Sequence, residues 1–153
     1  MKTIIVVGNG MVGYKFCEKF AAREESKHFK LIVFGEEPRA AYDRVHLSEF
    51  FENRDAKALE MAPLEWYADN DIELVVNERV TDIHRSKKTI TTASEKEFKY
   101  DYLVLATGSA PFVPPIQGVE KKGVFVYRTI EDLEAMLAYA EEIKKTKPNS
   151  KAA

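Results

Sequence analysis

The stretch that most constrains this chain is its beginning, where Ile4-Ile5-Val6-Val7 runs directly into Gly8-Asn9-Gly10-Met11-Val12-Gly13. Four consecutive branched aliphatic residues without polar alternation suit a strand covered on both faces, as in the parallel sheet of an α/β fold. The three glycines then have separate tasks. Gly8 permits the tight turn out of the strand, Gly10 lets backbone approach a pyrophosphate with no Cβ in the way, and Gly13 lets the next helix pack close to the sheet. The helix N-terminus that follows favours phosphate through its N–H groups and positive dipole end, without any basic side chain. Glycines gather in any turn, so the context decides. Val12, Phe16 and Phe20 stand four apart in Met11 to Arg23 and predict one apolar helical face. A second strand, Leu31 to Phe34, ends at Gly35-Glu36-Glu37, and Glu36 lies 23 residues beyond Gly13. That is close to the roughly 20-residue offset at which an acid meets the ribose hydroxyls of an adenosine. The alternative is a structural βαβ unit with a solvated glutamate pair; strand, turn, helix and acid together favour binding.

With 153 residues the chain has material for one good core and is short for two ordinary domains. A hydrophobic fraction of 45%, a charged fraction of 31% and a net charge of −2 describe a globular protein with no footprint for nucleic acid or an anionic membrane. No apolar run has the length of a membrane span or signal peptide, so the cytoplasm is the expected location. The single cysteine, Cys17, forms no internal disulfide and supplies neither a redox pair nor the four thiolates of an iron–sulfur cluster. It reads as helix packing. None of His28, His46 and His84 has a second ligand at metal spacing, so no metal site is expected, and no residue is singled out as general acid, base or nucleophile.

After the second strand, Glu37 to Glu49 is a polar stretch at the carboxyl end of a parallel strand, where α/β ligands sit. The planar fork of Arg44 can take a phosphate bidentately, or pair at the surface with Asp43 or a neighbouring glutamate; the sequence leaves both open. Leu47 to Phe51 and Pro63 to Asn70 predict short helices, with Trp66 as core or cover. Ile72 to Val76 predicts a third strand. Val80 to Arg85, Thr89 to Thr92 and Phe98 to Tyr100 predict a small antiparallel meander. Tyr102 to Leu105 predicts a fourth, buried strand, ending in Ala106-Thr107-Gly108, small residues that let a ligand lie against bare backbone. Gly123 to Arg128 predicts a last strand. Thr129 then caps a helix from Ile130 to Lys145, with Glu131 and Asp132 in its first turn and lysines in its last. The expected organisation is a single Rossmann-like α/β domain over residues 1–146 and a polar tail over 147–153.

Four stretches carry a family resemblance: Gly8 to Gly13, Pro38 to Ser48, Ala106 to Pro115 and Val126 to Leu133. They resemble the FAD- and NAD-dependent pyridine-nucleotide reductase superfamily. More closely, they are similar to the amino-terminal flavin portion of the large subunit of assimilatory NAD(P)H nitrite reductases. The resemblance implies an FAD-binding domain in which Gly8, Gly10, Val12, Gly13 and Glu36 hold the ADP half of FAD and Arg44 meets the pyrophosphate. It further implies that Val80 contacts adenine through its backbone, that Ala106, Thr107 and Gly108 line the cofactor, and that Arg128 lies close to it. Relatives that reduce ferredoxins and rubredoxins usually carry a lysine where this chain has Glu49. By the same resemblance the chain is truncated before the NAD(P)H domain, and the [4Fe–4S] cluster and sirohaem belong to absent regions. The implied partners are the dinucleotide, the remaining domains of the same polypeptide and a small subunit. The implied whole protein passes hydride from NAD(P)H to FAD and electrons onward to reduce nitrite to ammonia in nitrate assimilation, this chain alone being inactive. The alternatives are a flavoprotein reductase of a ferredoxin- or rubredoxin-type carrier and a non-catalytic nucleotide-binding domain.

Overall fold

A computed structural model describes residues 1–146. The polar tail expected over 147–153 lies outside the described residues. In chain order the elements are β1 (Lys2–Val7), α1 (Met11–Ala21), β2 (Phe29–Phe34), α2 (Phe50–Asn53), α3 (Leu64–Asp69), β3 (Ile72–Val75), β4 (Val80–His84), β5 (Thr89–Thr92), β6 (Glu97–Lys99), β7 (Tyr102–Leu105) and α4 (Ile130–Thr146). The chain divides into two compact units. One comprises Met1–Asp43 and Glu60–Gly108; the other comprises Arg44–Leu59 and the chain from Ser109 onward.

The first unit is built on a four-stranded parallel sheet of order β3-β2-β1-β7. Side chains alternate across β1 and β2, as the twofold period of a strand requires. Ile4, Val6, Leu31 and Val33 face a cluster with Tyr14 and Cys17 of α1 and Tyr67 of α3. Ile5, Val7, Ile32 and Phe34 face Ile90 and Phe98 of the antiparallel β4-β5-β6 meander. Both faces are therefore covered, which is why the first strand reads as an unbroken apolar run. The meander is also the connection that returns the chain from β3 to β7. Residues 44–59 leave this unit through a narrow neck, where Tyr42 bridges Glu60 and the Met61 N–H donates to the Ala41 carbonyl at 2.9 Å.

Three expectations are corrected here. The buried face of α1 is Gly13, Tyr14 and Cys17 with Phe16 and Phe20 partly covered, while Val12 is 72% exposed. Gly13 sets this face, because it lies against the Gly8 carbonyl and the inward stripe therefore runs Gly13, Cys17, Phe20. The strand Tyr102–Leu105 forms, but at the sheet edge with one lateral neighbour, leaving Tyr102 and Leu105 about half exposed. The stretch Gly123 to Arg128 is not a strand. A strand needs a ladder partner, and all seven strands among the described residues belong to the other unit.

In the second unit the aromatics of that stretch pack locally instead. Phe125 meets Tyr139 at 5.6 Å between centroids, and Tyr127 stacks on Phe51 at 6.1 Å. The predicted Leu47–Phe51 helix appears as a 3-10 turn, Leu47–Glu49, running into the single turn of α2. The predicted α4 cap is present. Thr129 Oγ1 accepts from the Asp132 N–H at 3.2 Å, and Asp132 Oδ2 accepts from the Thr129 N–H at 2.8 Å and the Arg128 N–H at 2.9 Å. This is a reciprocal capping box in which an aspartate replaces the usual glutamate. No helix among the described residues is long and apolar enough to cross a membrane.

Candidate functional site

The carboxyl ends of β1, β2 and β7 lie side by side, and the first unit's glycine-rich turn grows out of the middle one. Gly8 has φ +108° and donates its N–H to the Phe34 carbonyl at 2.9 Å, while the Ala106 N–H donates to the Val7 carbonyl at 2.8 Å. A Cβ on Gly8 would collide with the Ala106 carbonyl oxygen, and one on Gly13 with the Gly8 carbonyl oxygen. Both glycines are thus required by the protein's own packing. Gly10 differs, because a Cβ there meets nothing within 4 Å. Its backbone is extended, at φ −88° and ψ −167°, so the protein itself does not demand a glycine.

Gly10 also caps α1 without a side chain, and the first turn of α1 carries no acid. Its carbonyl accepts the first helical bond, from the Tyr14 N–H at 2.9 Å. The N–H groups of the first turn have no intrahelical acceptor, and the space beside Gly10 is open. This arrangement fits a diphosphate. Val12 lies in the same turn, exposed.

Glu36 follows β2 directly and is exposed, with its Oε2 3.8 Å from Arg79 Nη1. Glu37 accepts from the Tyr42 hydroxyl at 2.7 Å, which draws that carboxylate back to its own loop. The loop is held in place by backbone bonds from the Asn77 N–H to the Glu37 carbonyl, 2.9 Å, and from the Glu78 N–H to the Gly35 carbonyl, 3.0 Å. Glu78 in turn accepts from the Ser94 N–H at 3.1 Å and the Ser94 hydroxyl at 3.0 Å, and these bonds hold its carboxyl below the usual range. The acidic loop and the start of the meander are thereby tied together. Val80 opens β4 there, half-buried against the meander core beside a register shift. Ala106 is half-buried, Thr107 and Gly108 are exposed, and Gly108 has φ +69°.

Gly8, Gly10, Val12, Gly13, Glu36, Val80, Ala106, Thr107 and Gly108 all belong to this unit. Arg44 and Arg128 belong to the other, where the structure brings them together: Arg44 Nη1 donates to the Arg128 carbonyl at 2.9 Å. Both side chains are half-buried. Among the described residues no group of three or more His, Cys, Asp and Glu side chains could hold a metal. Cys17 is fully buried, and burial pushes its thiol up to about 12, so it is chemically inert.

Sequence reasoning missed Asn9, Tyr67, Glu78 and Arg79. Asn9 Oδ1 accepts from the Tyr67 hydroxyl at 3.1 Å across 58 residues of chain, and no local pattern announces such a bond. The polar run Asn77-Glu78-Arg79 between two strands was the one visible signal for the others.

Residues 2–146 match the family described as pyridine nucleotide-disulphide oxidoreductase. The chain is 42% identical over 142 residues to the nitrite reductase (NADH) large subunit of Escherichia coli, covering 93% of this chain and 17% of that protein. It is 38% identical over 145 residues to the nitrite reductase [NAD(P)H] of Bacillus subtilis, covering 94% and 18%. The chain therefore spans under a fifth of the length of these relatives. Among solved structures, reduced Bacillus anthracis CoADR-RHD superposes with a TM-score of 0.83 at 24% identity, covering 94% of this chain and 27% of that one. The NADH:rubredoxin oxidoreductase of Clostridium acetobutylicum gives 0.77 at 23%, covering 94% and 36%. Both likenesses are of fold.

Proposed function

This chain belongs to the pyridine nucleotide-disulphide oxidoreductase family, and from that premise we propose that it holds the ADP half of FAD in the large subunit of an NAD(P)H nitrite reductase. The observation that carries the reading is the contrast among the glycines: Gly8 and Gly13 are locked against protein atoms, whereas Gly10 borders open space at a helix N-terminus. The turn Gly8 to Gly13, with Val12 in it, would receive the pyrophosphate on its N–H groups. Glu36 would accept from the ribose hydroxyls, the Val80 backbone would meet the adenine, and Ala106, Thr107 and Gly108 would line the cofactor. Arg44 and Arg128 enter the proposal on the family resemblance alone. When bound, FAD supplies the hydride and electron chemistry; these residues bind and orient it.

In the whole protein, NAD(P)H would reduce the flavin and electrons would pass to a [4Fe–4S] cluster and sirohaem held elsewhere in the polypeptide, reducing nitrite to ammonia. The remaining domains and a small subunit are the partners this reading requires, and the cytoplasm its setting. The domain it assigns to residues 1–146 is the nucleotide half of a flavin site. The test is calorimetric titration of ADP and FAD into the parent and Gly10→Val, whose branched side chain would stand where the pyrophosphate lies. Binding lost in the variant, with an unchanged melting temperature, is the expected result. Equal binding in both proteins would refute the reading.

A further inference from the structure

Between β3 and β4 the chain turns through Asn77-Glu78-Arg79, with Asn77 at φ +53°, and Glu78 is held on two sides of that turn. Its main chain belongs to the loop after β2. The Gly35 N–H donates to the Val75 carbonyl at 2.9 Å and the Gly35 carbonyl accepts from the Glu78 N–H, so with the Asn77–Glu37 bond the peptides flanking Glu36 are anchored to residues 75–78. Its side chain belongs to the meander. The two carboxylate oxygens take the N–H and the hydroxyl of Ser94 separately, an arrangement in which an ionised acceptor makes strong bonds. Ser94 sits in the turn between β5 and β6, where the Thr92 carbonyl accepts from the Glu95 N–H at 2.9 Å and Glu95 has φ +61°. Thr92 is 2% exposed, with its hydroxyl 3.2 Å from that of Ser94, so one end of the turn is fixed in the core. The ladder is weakest close by. β4 pairs with β5 in regular register from Asp82 to His84, but the register shifts between Val80 and Asp82. Such an irregularity loosens the pairing where Val80 begins the strand. The Glu78–Ser94 bonds, with the Ala93 N–H donating to the Arg79 carbonyl at 2.8 Å, hold the chain on the near side of that irregularity.

We propose that Glu78 is a positioning residue of the nucleotide site, a strut that sets the spacing between Glu36 and the start of β4 at Val80. This role rests on the reading of Glu36 as the ribose acceptor and of the Val80 backbone as the adenine contact, and adds the residue that makes the two act on one nucleoside. Ribose and base are joined by a single torsion, so groups that read both must stand at a set distance before the ligand arrives. Glu78 supplies that distance from the middle: its N–H bonds the loop of Glu36, and its carboxylate bonds the turn beside Val80. All of these residues lie within one unit of the fold. Glu78 itself touches no ligand and acts through Glu36 and Val80.

The experiment is calorimetric titration of ADP, 2′-deoxy-ADP and inosine diphosphate into the parent, Glu78→Ala, Glu78→Gln and Ser94→Ala, well below their melting temperatures, with Gly10→Val as the control. The three ligands share a diphosphate. 2′-Deoxy-ADP lacks one hydroxyl for Glu36, and inosine diphosphate changes the base edge offered to Val80, so the parent is expected to prefer ADP over both. Glu78→Ala is expected to weaken ADP by about three- to tenfold and to reduce both preferences by at least about twofold, because ribose and base are no longer read together. Glu78→Gln offers Ser94 one acceptor and one donor, which its N–H and hydroxyl can both meet, and should stay within about twofold of the parent. Ser94→Ala loses one of the two bonds and should fall between them, and it should cost nothing further when added to Glu78→Ala. A merely structural role would lower the melting temperature and weaken all three ligands equally. That outcome would overturn the inference, as would Glu78→Gln as impaired as Glu78→Ala, or a parent that binds the three ligands alike. In those cases the site reading survives if Gly10→Val still fails to bind. If the parent takes no ADP at all, both fall together. Should Glu78→Ala fail to fold, the same preferences in Ser94→Ala and Glu78→Gln decide the matter.

Discussion

Alanine substitution at the three glycines should separate what the fold needs from what a ligand needs. At Gly8 the new side chain faces two penalties: φ of +108° is strained for any L residue, at about 1–3 kcal/mol, and the Cβ collides with the Ala106 carbonyl, an overpacking cost of about 1–3 kcal/mol. The sum, roughly 2–6 kcal/mol, is a large part of the 5–15 kcal/mol typical of a domain. Gly13→Ala regains about 1 kcal/mol of helix propensity but must push α1 off the Gly8 carbonyl, so its net loss is smaller. Gly10→Ala meets no atom. Its gain from a stiffer unfolded chain, about 0.4–1 kcal/mol, is offset by the poorer capping of alanine, about 0.5–1 kcal/mol, leaving stability within about 1 kcal/mol of the parent. ADP affinity should follow another order, falling at least about tenfold, or about 1.4 kcal/mol, in Gly10→Ala. Urea denaturation gives the first series and calorimetry the second. A Gly10→Ala protein as destabilised as Gly8→Ala, or one that binds ADP like the parent, would refute the reasoning.

Glu36→Gln should narrow the preference for ADP over 2′-phospho-ADP, because in the proposed site the carboxylate would both accept from the ribose hydroxyls and repel an added phosphate; competitive titration of the two ligands checks this. Thr129→Ala removes the acceptor of the Asp132 N–H and should cost about 1 kcal/mol, seen as faster amide exchange in the first turn of α4. Burial keeps Cys17 and Tyr67 neutral, each up to about 12 from 9.0 and 10.0, so the unfolded chain releases these protons first. Stability should therefore hold up to pH 9 and fall as pH rises toward 12, by about 1.4 kcal/mol per pH unit for each group titrating; a flat urea midpoint from pH 9 to 11 would contradict it.

What was legible in the sequence was local. The run Ile4 to Val7 states that both faces of a strand are covered, the glycine spacing states the turn, and Thr129 with Asp132 states a helix start; each rests on contacts within a few residues. Composition marked Gly123 to Arg128 as β-prone, but pairing depends on a neighbour that composition does not supply, and Phe125 and Tyr127 found aromatic partners on α4 and α2. Val12 has the hydrophobicity of a core residue and the spacing of one; the contact of Gly13 with Gly8 turns the helix away from it. Asn9 and Tyr67 meet only because α3 lies under the turn. At the site, the packing roles of Gly8 and Gly13 were legible in their order, whereas the bond from Arg44 to the Arg128 carbonyl joins residues 84 apart and left no trace in either neighbourhood.

The position of β7 has a consequence for the order in which this molecule can be made. β1 takes β2 as its neighbour on one side, 27 residues along the chain, and β7 on the other, 98 residues along. Loop closure over the longer span is the later and slower event, and its entropy must be recovered from contacts formed only after it closes. Ala106 is the residue against which Gly8 is fitted. The glycine-rich turn therefore takes its final shape only when the far end of the unit has been synthesised and paired, and a growing chain has β1 and its helix well before it has a nucleotide site. Nucleotide added during refolding should then act on the last step of assembly, holding the pairing of β1 with β7 and leaving the earlier pairing of β1 with β2 untouched.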